Sequence, residues 1–540
     1  MIIVNSLASG KFNFGMKVKF ITVNNLGSED NNKIIEHFFK FGYFNEQLPQ
    51  CFDSNDLYIN FEKIKSFNDK KNPSEPATLT VAKNENARRE IKVPNPIHQT
   101  KLFNILIDNI VDIKEKIDLG NRTLSNPFIE KDFYEEIMLD IPFKNRRSTF
   151  RFNLYKKMNS SMGYRYIYKL DLANFYDSIY THAIEWAIVG KEVAKNKDGN
   201  KANKLGEQLD KGVRNTNSRE TSGIPTGPFS SRILSELILI SIDEELLQLK
   251  TESGIDFEFL HYNDDYEFYF KTELDYLKII SLIKSVFTKY RLKINESKCE
   301  FLEYPYHNNI DMKEEYEFYL KKYKDSNDNY QKTDIIVRLF FKADEFYKQG
   351  YKGAYKYLYK VIKGYDLSVV WGAVEPFFLG HILIKPDLTK YISEIIFEEE
   401  HLNKVSRKFC GELEKNLDTA LKFKLDNEAN WLLWMIFNLN IKLKSKQILS
   451  ILDEADNEIF LTFFLSYVEH IGKIRQKRII EKLNKLKETL IHESIYGPKW
   501  ILIYQWVKSE WPYYNELKSK VEKNNSFKCL LKNDVSFIKL

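Results

Sequence analysis

Apolar positions along this chain follow two regimes, with the change near residue 330. In the first, aromatic and branched residues gather in short runs such as "YRYIYKLDLANFYDSIY" (164–180) and "FEFLHYNDDYEFYF" (257–270), which predict strands. Between them, "SRILSELILISIDEELLQLK" (231–250) sets Ile233, Leu237, Ile240 and Leu247 at helical spacing. Strands mixed with helices predict an α+β domain over 1–310. A polar tract follows, with "DSNDN" (325–329) as the best boundary loop, and 311–330 is expected to be a linker. From 331 to 540 helical periodicity dominates, as in "NWLLWMIFNLNIKL" (430–443), and predicts stacked helical hairpins. No crisp repeat period is visible.

Composition narrows the class without naming it. With 540 residues the chain exceeds one core, and 43% hydrophobic with 29% charged residues is ordinary for a globular protein. A net charge of +5 neither demands nor excludes nucleic acid, so any electrostatic footprint is local. The basic segment "KIRQKR" (473–478) permits such contact but reads equally as a solvated helix face. Four scattered cysteines (Cys51, Cys299, Cys410, Cys529) form no CxxC pair, which argues against a zinc finger or a disulfide framework and fits a reducing cytoplasm. The most apolar later run, "VVWGAVEPFFLGHILI" (369–384), is broken by Glu375, Pro376 and His381 and is too short to span a bilayer. No membrane association is expected.

The chemistry gathers around acids in apolar surroundings. Asp264 and Asp265 stand side by side within a buried-strand pattern, where two carboxylates repel and resist desolvation. Taken alone the pair reads as a polar hairpin turn. Asp171 interrupts "YKLDLANFYDSIYTH" (168–182) and alone reads as a cap or turn aspartate. "SGIPTGPFSSRILSELIL" (222–239) places Gly223, Pro225 and Gly227 before a long apolar helix, where glycine allows close approach of a ligand to backbone. "YRLKINESKCEFLEYP" (290–305) carries Lys293 and Lys298, and "ENARREIKVPNPIHQ" (85–99) carries Arg88 and Arg89.

In order and spacing these pieces resemble the palm of a reverse transcriptase, over roughly residues 30–305. Motif A is "DLANFY", B is "GIPTGP", C is "YNDD" and D is "LKINESK". The resemblance implies nucleotidyl transfer from deoxynucleoside triphosphates with two Mg²⁺ ions, about 3.5–4 Å apart in such sites, or Mn²⁺ in their place. Asp171, Asp264 and Asp265 would be the catalytic metal ligands, hard oxygen donors suited to that cation. The bound cations would offset the carboxylate repulsion. Tyr176 would be the bulky gate against a ribose 2′-hydroxyl. Gly223, Pro225 and Gly227 would approach the nucleotide, Arg88 and Arg89 would contact its phosphates, and Lys298 would stand near the leaving pyrophosphate. Two departures stand out: Thr226 where the family often has Gln, and Asn263 as the variable residue of the YxDD motif.

Flanking stretches narrow the resemblance further. "FFKFGYFNEQLPQCF" (38–52), "DSIYTHAIEWAIVGKE" (177–192) and the motif B segment resemble bacterial abortive-infection (Abi) reverse transcriptases of the AbiK-like group. That resemblance implies an α+β fingers and palm domain (1–310) and an all-α HEAT-like helical-repeat domain (331–540) in place of a thumb. It also implies a cytoplasmic bacterial phage-defence polymerase, homo-oligomeric, responding to a phage factor, with protein-primed and template-independent synthesis. A single-stranded DNA product would then be covalently attached to a tyrosine, for which Tyr43 in "FGYF" is the candidate. Two other readings remain open: a templated RNA-directed DNA polymerase bound to a noncoding RNA, and a catalytically silent defence scaffold.

Overall fold

The computed structural model describes residues 28–540 apart from 68, 70–71, 84–86, 129–145, 197–200 and 306–309. Residues 1–27 of the expected first domain lie outside the described residues. At the centre is strand β3 (Tyr166–Ala173). It pairs antiparallel with β5 (Asp265–Phe270) on one side and with β6 (Lys293–Ile294) and β7 (Glu300–Glu303) on the other. β4 (Phe257–Tyr262) completes the sheet as a hairpin with β5.

Alternation along β3 divides the sheet's faces. Tyr168, Leu170 and Leu172 enter the main core, packed against the helix Phe229–Ser253 and its neighbours. Ile167 instead joins a small cluster with Leu124, Leu260 and Tyr269 on the opposite face. On that face the cross-strand pairs run Ile167–Tyr269, Lys169–Glu267, Asp171–Asp265. The face thus grades from apolar to acidic toward one end of the sheet.

The strand expected over 164–180 stops at Ala173. Asn174 takes a left-handed φ of 47°, and a short helix, Phe175–Ser178, follows. Asn tolerates that conformation better than most residues, so one residue ends a run whose aromatic content continues unchanged.

A second, two-stranded sheet, β1 (Ala77–Ala82) with β2 (Arg88–Val93), forms the fingers hairpin. The helical half docks directly onto it. Helices Arg407–Lys422, Ser445–Glu454, Lys477–Ile491 and Tyr514–Glu522 make one layer, and Asp426–Asn438, Glu458–His470 and Trp500–Lys508 the other. The second layer meets the open edge of β1. Glu458 Oε1 accepts from Thr78 N–H and Asp426 Oδ2 from Thr80 N–H, both at 3.0 Å, while Asn457 donates to the Thr78 carbonyl. Edge-strand groups that would otherwise need water are satisfied by side chains at helix starts.

One expectation about organisation changes. The segment 311–330 is no linker: helix Ile310–Asp325 fills most of it and packs on Asn329–Lys348. The C-terminal segment also returns to the first half. Phe52 bridges Ile538, and the Lys539 N–H donates to the Cys51 carbonyl at 2.8 Å. Among the described residues no helix is long and apolar enough to cross a membrane.

Candidate active site

β3 and the β4–β5 hairpin bring the three aspartates together. Asp171 and Asp265 are direct cross-strand partners, and the Leu172 N–H donates to the Asp264 carbonyl at 3.3 Å. The turn is Asn263–Asp264, and Asn263 has a φ of 50°. The asparagine in "YNDD" therefore suits a left-handed corner, which gives its polarity a conformational reason.

Like charges opposite one another on a sheet repel, and the electrostatics register it. Burial, then the charge of Asp171, raises the Asp264 carboxyl above its ordinary range, against the pull of Lys83 and Lys298. Burial, the charges of Asp264 and Asp171, and a hydrogen bond with Asp171 push Asp265 up to about 6.

Lys298 supplies the nearest counter-charge. It closes a single 3₁₀ turn, Glu296–Lys298, between β6 and β7. Its ammonium lies 3.0 and 3.2 Å from the two oxygens of Asp171. The turn is anchored by the Asn295 N–H donating to the Asp171 carbonyl at 2.8 Å. In this arrangement Lys298 sits on the aspartate itself, whereas Lys293 lies exposed in β6.

The loop 222–228 is held from both sides. Gly223 has a φ of 83° and a Cβ there would meet the Asp177 carbonyl at 3.2 Å, while its N–H donates to the Ile179 carbonyl. At Gly227, φ 140°, a Cβ would meet the Lys92 carbonyl at 3.1 Å. Pro225 is buried, and the Thr226 carbonyl accepts from the Lys92 N–H at 2.8 Å. These glycines let motif B pass against motif A and the fingers strand. Tyr176 lies beside it, its carbonyl accepting from the Ile224 N–H and its hydroxyl paired with Ser235. Burial, then the charges of Asp264 and Glu236, pushes its phenol up to about 12, so it is neutral at physiological pH.

The two fingers arginines part company. Arg88 forms a two-pronged pair with Glu428 of the helical half, at 2.9 and 2.7 Å, and also donates to Thr80. It is committed to interdomain contact, which corrects its expected phosphate role. Arg89 points the other way, as neighbours on a strand do, into a cleft of about 100 Å³ between fingers and helical half. Lys83, Lys356, Lys390, Tyr391, Asp387 and Glu428 also line that cleft, Lys356 paired with Asp387 at 2.9 Å and Glu428 with Arg88. Lys83 and Arg89 make no side-chain hydrogen bond or ion pair among the described residues, and their charges reach Asp264 and Tyr176 respectively. Lys83 carries no motif, and only its place one turn before Arg89 in the hairpin could have marked it.

Tyr43 is also placed otherwise than expected. It is not presented to the cleft: its ring is 1% exposed in the core, stacked 6.0 Å from Phe537. Its hydroxyl donates to the Pro94 carbonyl at 2.5 Å. The Gly42 carbonyl beside it accepts from the Phe229 N–H at 2.8 Å, which ties this segment to the start of the motif B helix. Tyr43→Phe should lower stability by about 1–2 kcal/mol, the cost of leaving that buried carbonyl unpaired. Urea melts of the two proteins measure it.

Beneath the YNDD turn lies a buried ionic cluster that the motifs did not announce. His261 of β4 has Nε2 3.1 Å from Asp243 and 3.9 Å from Glu236, and all three side chains are almost fully buried. Burial pulls the imidazole down, but Asp243 and Glu236 outweigh it and lift His261 to about 9. The signal was present: Glu236 and Asp243 sit seven apart, hence on one face, in an otherwise apolar helix. A raised histidine stabilises the fold fully below its unfolded value near 6.5 and loses that contribution as pH rises through about 9. Melting temperature should therefore fall between about pH 6.5 and 9, a slope that His261→Gln flattens.

The description "Reverse transcriptase (RNA-dependent DNA polymerase)" matches residues 127–352, a span that holds all three aspartates. The chain carries a reverse transcriptase domain. Such a domain is that of a nucleotidyltransferase, and reverse transcriptase domains generally use divalent metal ions, typically Mg²⁺. None of the curated proteins compared matches the chain. Among solved structures, apo telomerase from Candida tropicalis is similar over 77% of this chain and 70% of its own, at 13% identity and a TM-score of 0.33. A form of it truncated from the C-terminal domain shares 16% identity at a TM-score of 0.28; 44% of this chain is covered, which spans 51% of that one. Telomerase from Candida albicans in complex with the TWJ fragment of telomeric RNA shares 10% identity at 0.30, covering 75% of this chain and 66% of its own.

Whether a cation fits can be tested on the donors. Among the described residues no three ligating side chains stand close enough to form a metal site as they are. The donor chemistry nonetheless fits: Asp171 raises both Asp264 and Asp265, Asp264 raises Asp265 further, and the Lys298 ammonium on Asp171 is the nearest compensation. A divalent cation would take over that compensation.

Proposed function

We propose that the chain is a DNA polymerase of the reverse-transcriptase kind that transfers deoxynucleotides, and that it serves bacterial phage defence in the manner of the AbiK-like group it resembles. The observation that carries the catalytic half is the convergence of Asp171, Asp264 and Asp265 at one end of the sheet, beside Tyr176 and within electrostatic reach of Lys83. The defence half rests on the sequence resemblance, and we read the two-layered helical half as its HEAT-like array.

Asp171, Asp264 and Asp265 would hold a pair of Mg²⁺ ions. When bound, such ions supply charge stabilisation to the attacking and leaving oxygens. The chain's own residues do the rest. Lys83 and Arg89 would take the triphosphate, the latter as expected from the sequence and the former in place of Arg88. Gly223 and Gly227 seat motif B tightly against motif A and the fingers strand, with Pro225 fixing the bend between them, and so would set the loop beside the nucleotide. The Tyr176 ring would crowd a 2′-hydroxyl. Lys298, released from Asp171 once that carboxylate is neutralised, would face the departing pyrophosphate. A 3′-hydroxyl, or a tyrosyl hydroxyl at initiation, would attack the α-phosphorus in line, its proton passing to water as the bond to pyrophosphate breaks. Positioning and fixed charge account for the acceleration.

Purified protein incubated with Mg²⁺ and labelled deoxynucleotides should incorporate label without added primer; failure under every condition tried would favour the silent scaffold. Tyr176→Ala should admit ribonucleotides, lowering the preference for deoxynucleotides by at least about tenfold. Competition assays with paired dNTP and rNTP read it. Tyr43, buried against Phe537 with its hydroxyl on the Pro94 carbonyl, is not placed to prime. If synthesis is protein-primed, mass spectrometry after nuclease digestion should find the nucleotide adduct on another tyrosine, and a protein without any adduct would remove protein priming.

A further inference from the structure

The ionic cluster below the YNDD turn does more than fill the core. Burying three ionisable side chains under a hairpin brings little net stability compared with apolar packing. These three reach the turn's backbone. His261 Nδ1 lies 3.3 Å from the Asn263 carbonyl, while Nε2 faces Asp243 and Glu236. From the other side the Asn263 N–H donates to Ser125 Oγ at 2.7 Å, and that hydroxyl lies 3.5 Å from Glu236. The His261 ring stacks on Tyr266 at 5.0 Å, and the Tyr266 hydroxyl donates to Asp243 at 3.0 Å. Both backbone groups of Asn263 are thus tied to one acidic pair on the helix Phe229–Ser253. Asn263 is the left-handed corner from which Asp264 departs.

We propose that His261 is a positioning residue, clamping the Asn263 carbonyl to the Asp243–Glu236 pair and so fixing the direction of the Asp264 carboxylate. This rests on the reading of Asp264 as a catalytic carboxylate. A reacting group displaced by a fraction of an ångström loses rate while substrate binding elsewhere is kept. The role therefore shows in kcat and not in KM.

The test compares two substitutions that remove the same charge. Asn at 261 keeps a donor where Nδ1 stands, and Gln keeps one where Nε2 stands. Both are made in the full chain with Asp243→Asn, which removes the carboxylate nearest the ring and leaves Glu236 beside the Ser125 hydroxyl in both variants alike. His261→Asn should retain kcat within about threefold of the Asp243→Asn parent, and His261→Gln should lose about tenfold, at matched melting temperatures and with KM for dNTP within about twofold. Equal kcat in the two would overturn the clamp. Ser125→Ala, a milder change that leaves the ion cluster whole, should lower kcat several-fold at unchanged KM; full kcat there would also overturn it. Activity surviving in Asp264→Asn would instead sink the reading of Asp264, a separate and distinguishable failure.

Discussion

Replacing Asp264 by Asn should abolish deoxynucleotide incorporation while leaving the protein at least as stable as before. The carboxylate stands half-buried next to Asp171 and Asp265, and its own charge is what the fold tolerates least there. Removing it relieves repulsion on Asp265, whose carboxyl should then fall from about 6 toward the usual range. Metal-borne charge stabilisation is worth several kcal/mol, and at 1.36 kcal/mol per tenfold its loss means about a thousandfold or more in rate. Opposite signs for activity and stability mark a site kept for chemistry. Incorporation assays and thermal melts on one preparation supply both numbers.

The second large effect separates two adjacent arginines. Arg88→Ala should destabilise the protein by about 3 kcal/mol or more, because it strands the Glu428 carboxylate, whose side chain is 4% exposed. It also loosens the fingers hairpin from the helical half. Arg89→Ala touches no such partner and should change stability by less than about 0.5 kcal/mol, as surface substitutions do. It should instead raise KM for deoxynucleotides. Chemical denaturation of both variants, with dNTP titrations, tests the pair. A large stability loss in Arg89→Ala, with Arg88→Ala neutral, would reverse the assignment.

What the sequence disclosed and what it hid follow from the range of the interactions. Asp171, Asp264 and Asp265 were legible because an acid inside an apolar strand violates local pattern, and a violation needs a compensating cause. The helix beginning at Phe229 and the change to helical packing after 330 were legible from periodicity. The linker was misread because "EEYEFYLKKYKD" is polar enough for a loop yet apolar enough on one side to pack on its neighbour. Arg88 and Arg89 could not be told apart in one dimension. Strand alternation guarantees that they diverge, but only the docked helix start carrying Glu428 says which way each faces. Ser125 and Ser235 owe their places to contacts far along the chain, and no local rule marks them. Tyr43 has the same flanking glycine whether it anchors a core or reaches a cleft; packing against Phe537, almost five hundred residues away, decides where its ring lies.

The catalytic reading stands on carboxylates from β3 and from the β4–β5 turn sharing a cation. Anomalous diffraction from crystals soaked with Mn²⁺ and a non-hydrolysable deoxynucleotide reads that directly. Mn²⁺ density touching both Asp171 and Asp264, with Lys298 swung off Asp171, is the result expected. Density bound elsewhere, or none while Lys298 still holds Asp171, would contradict it.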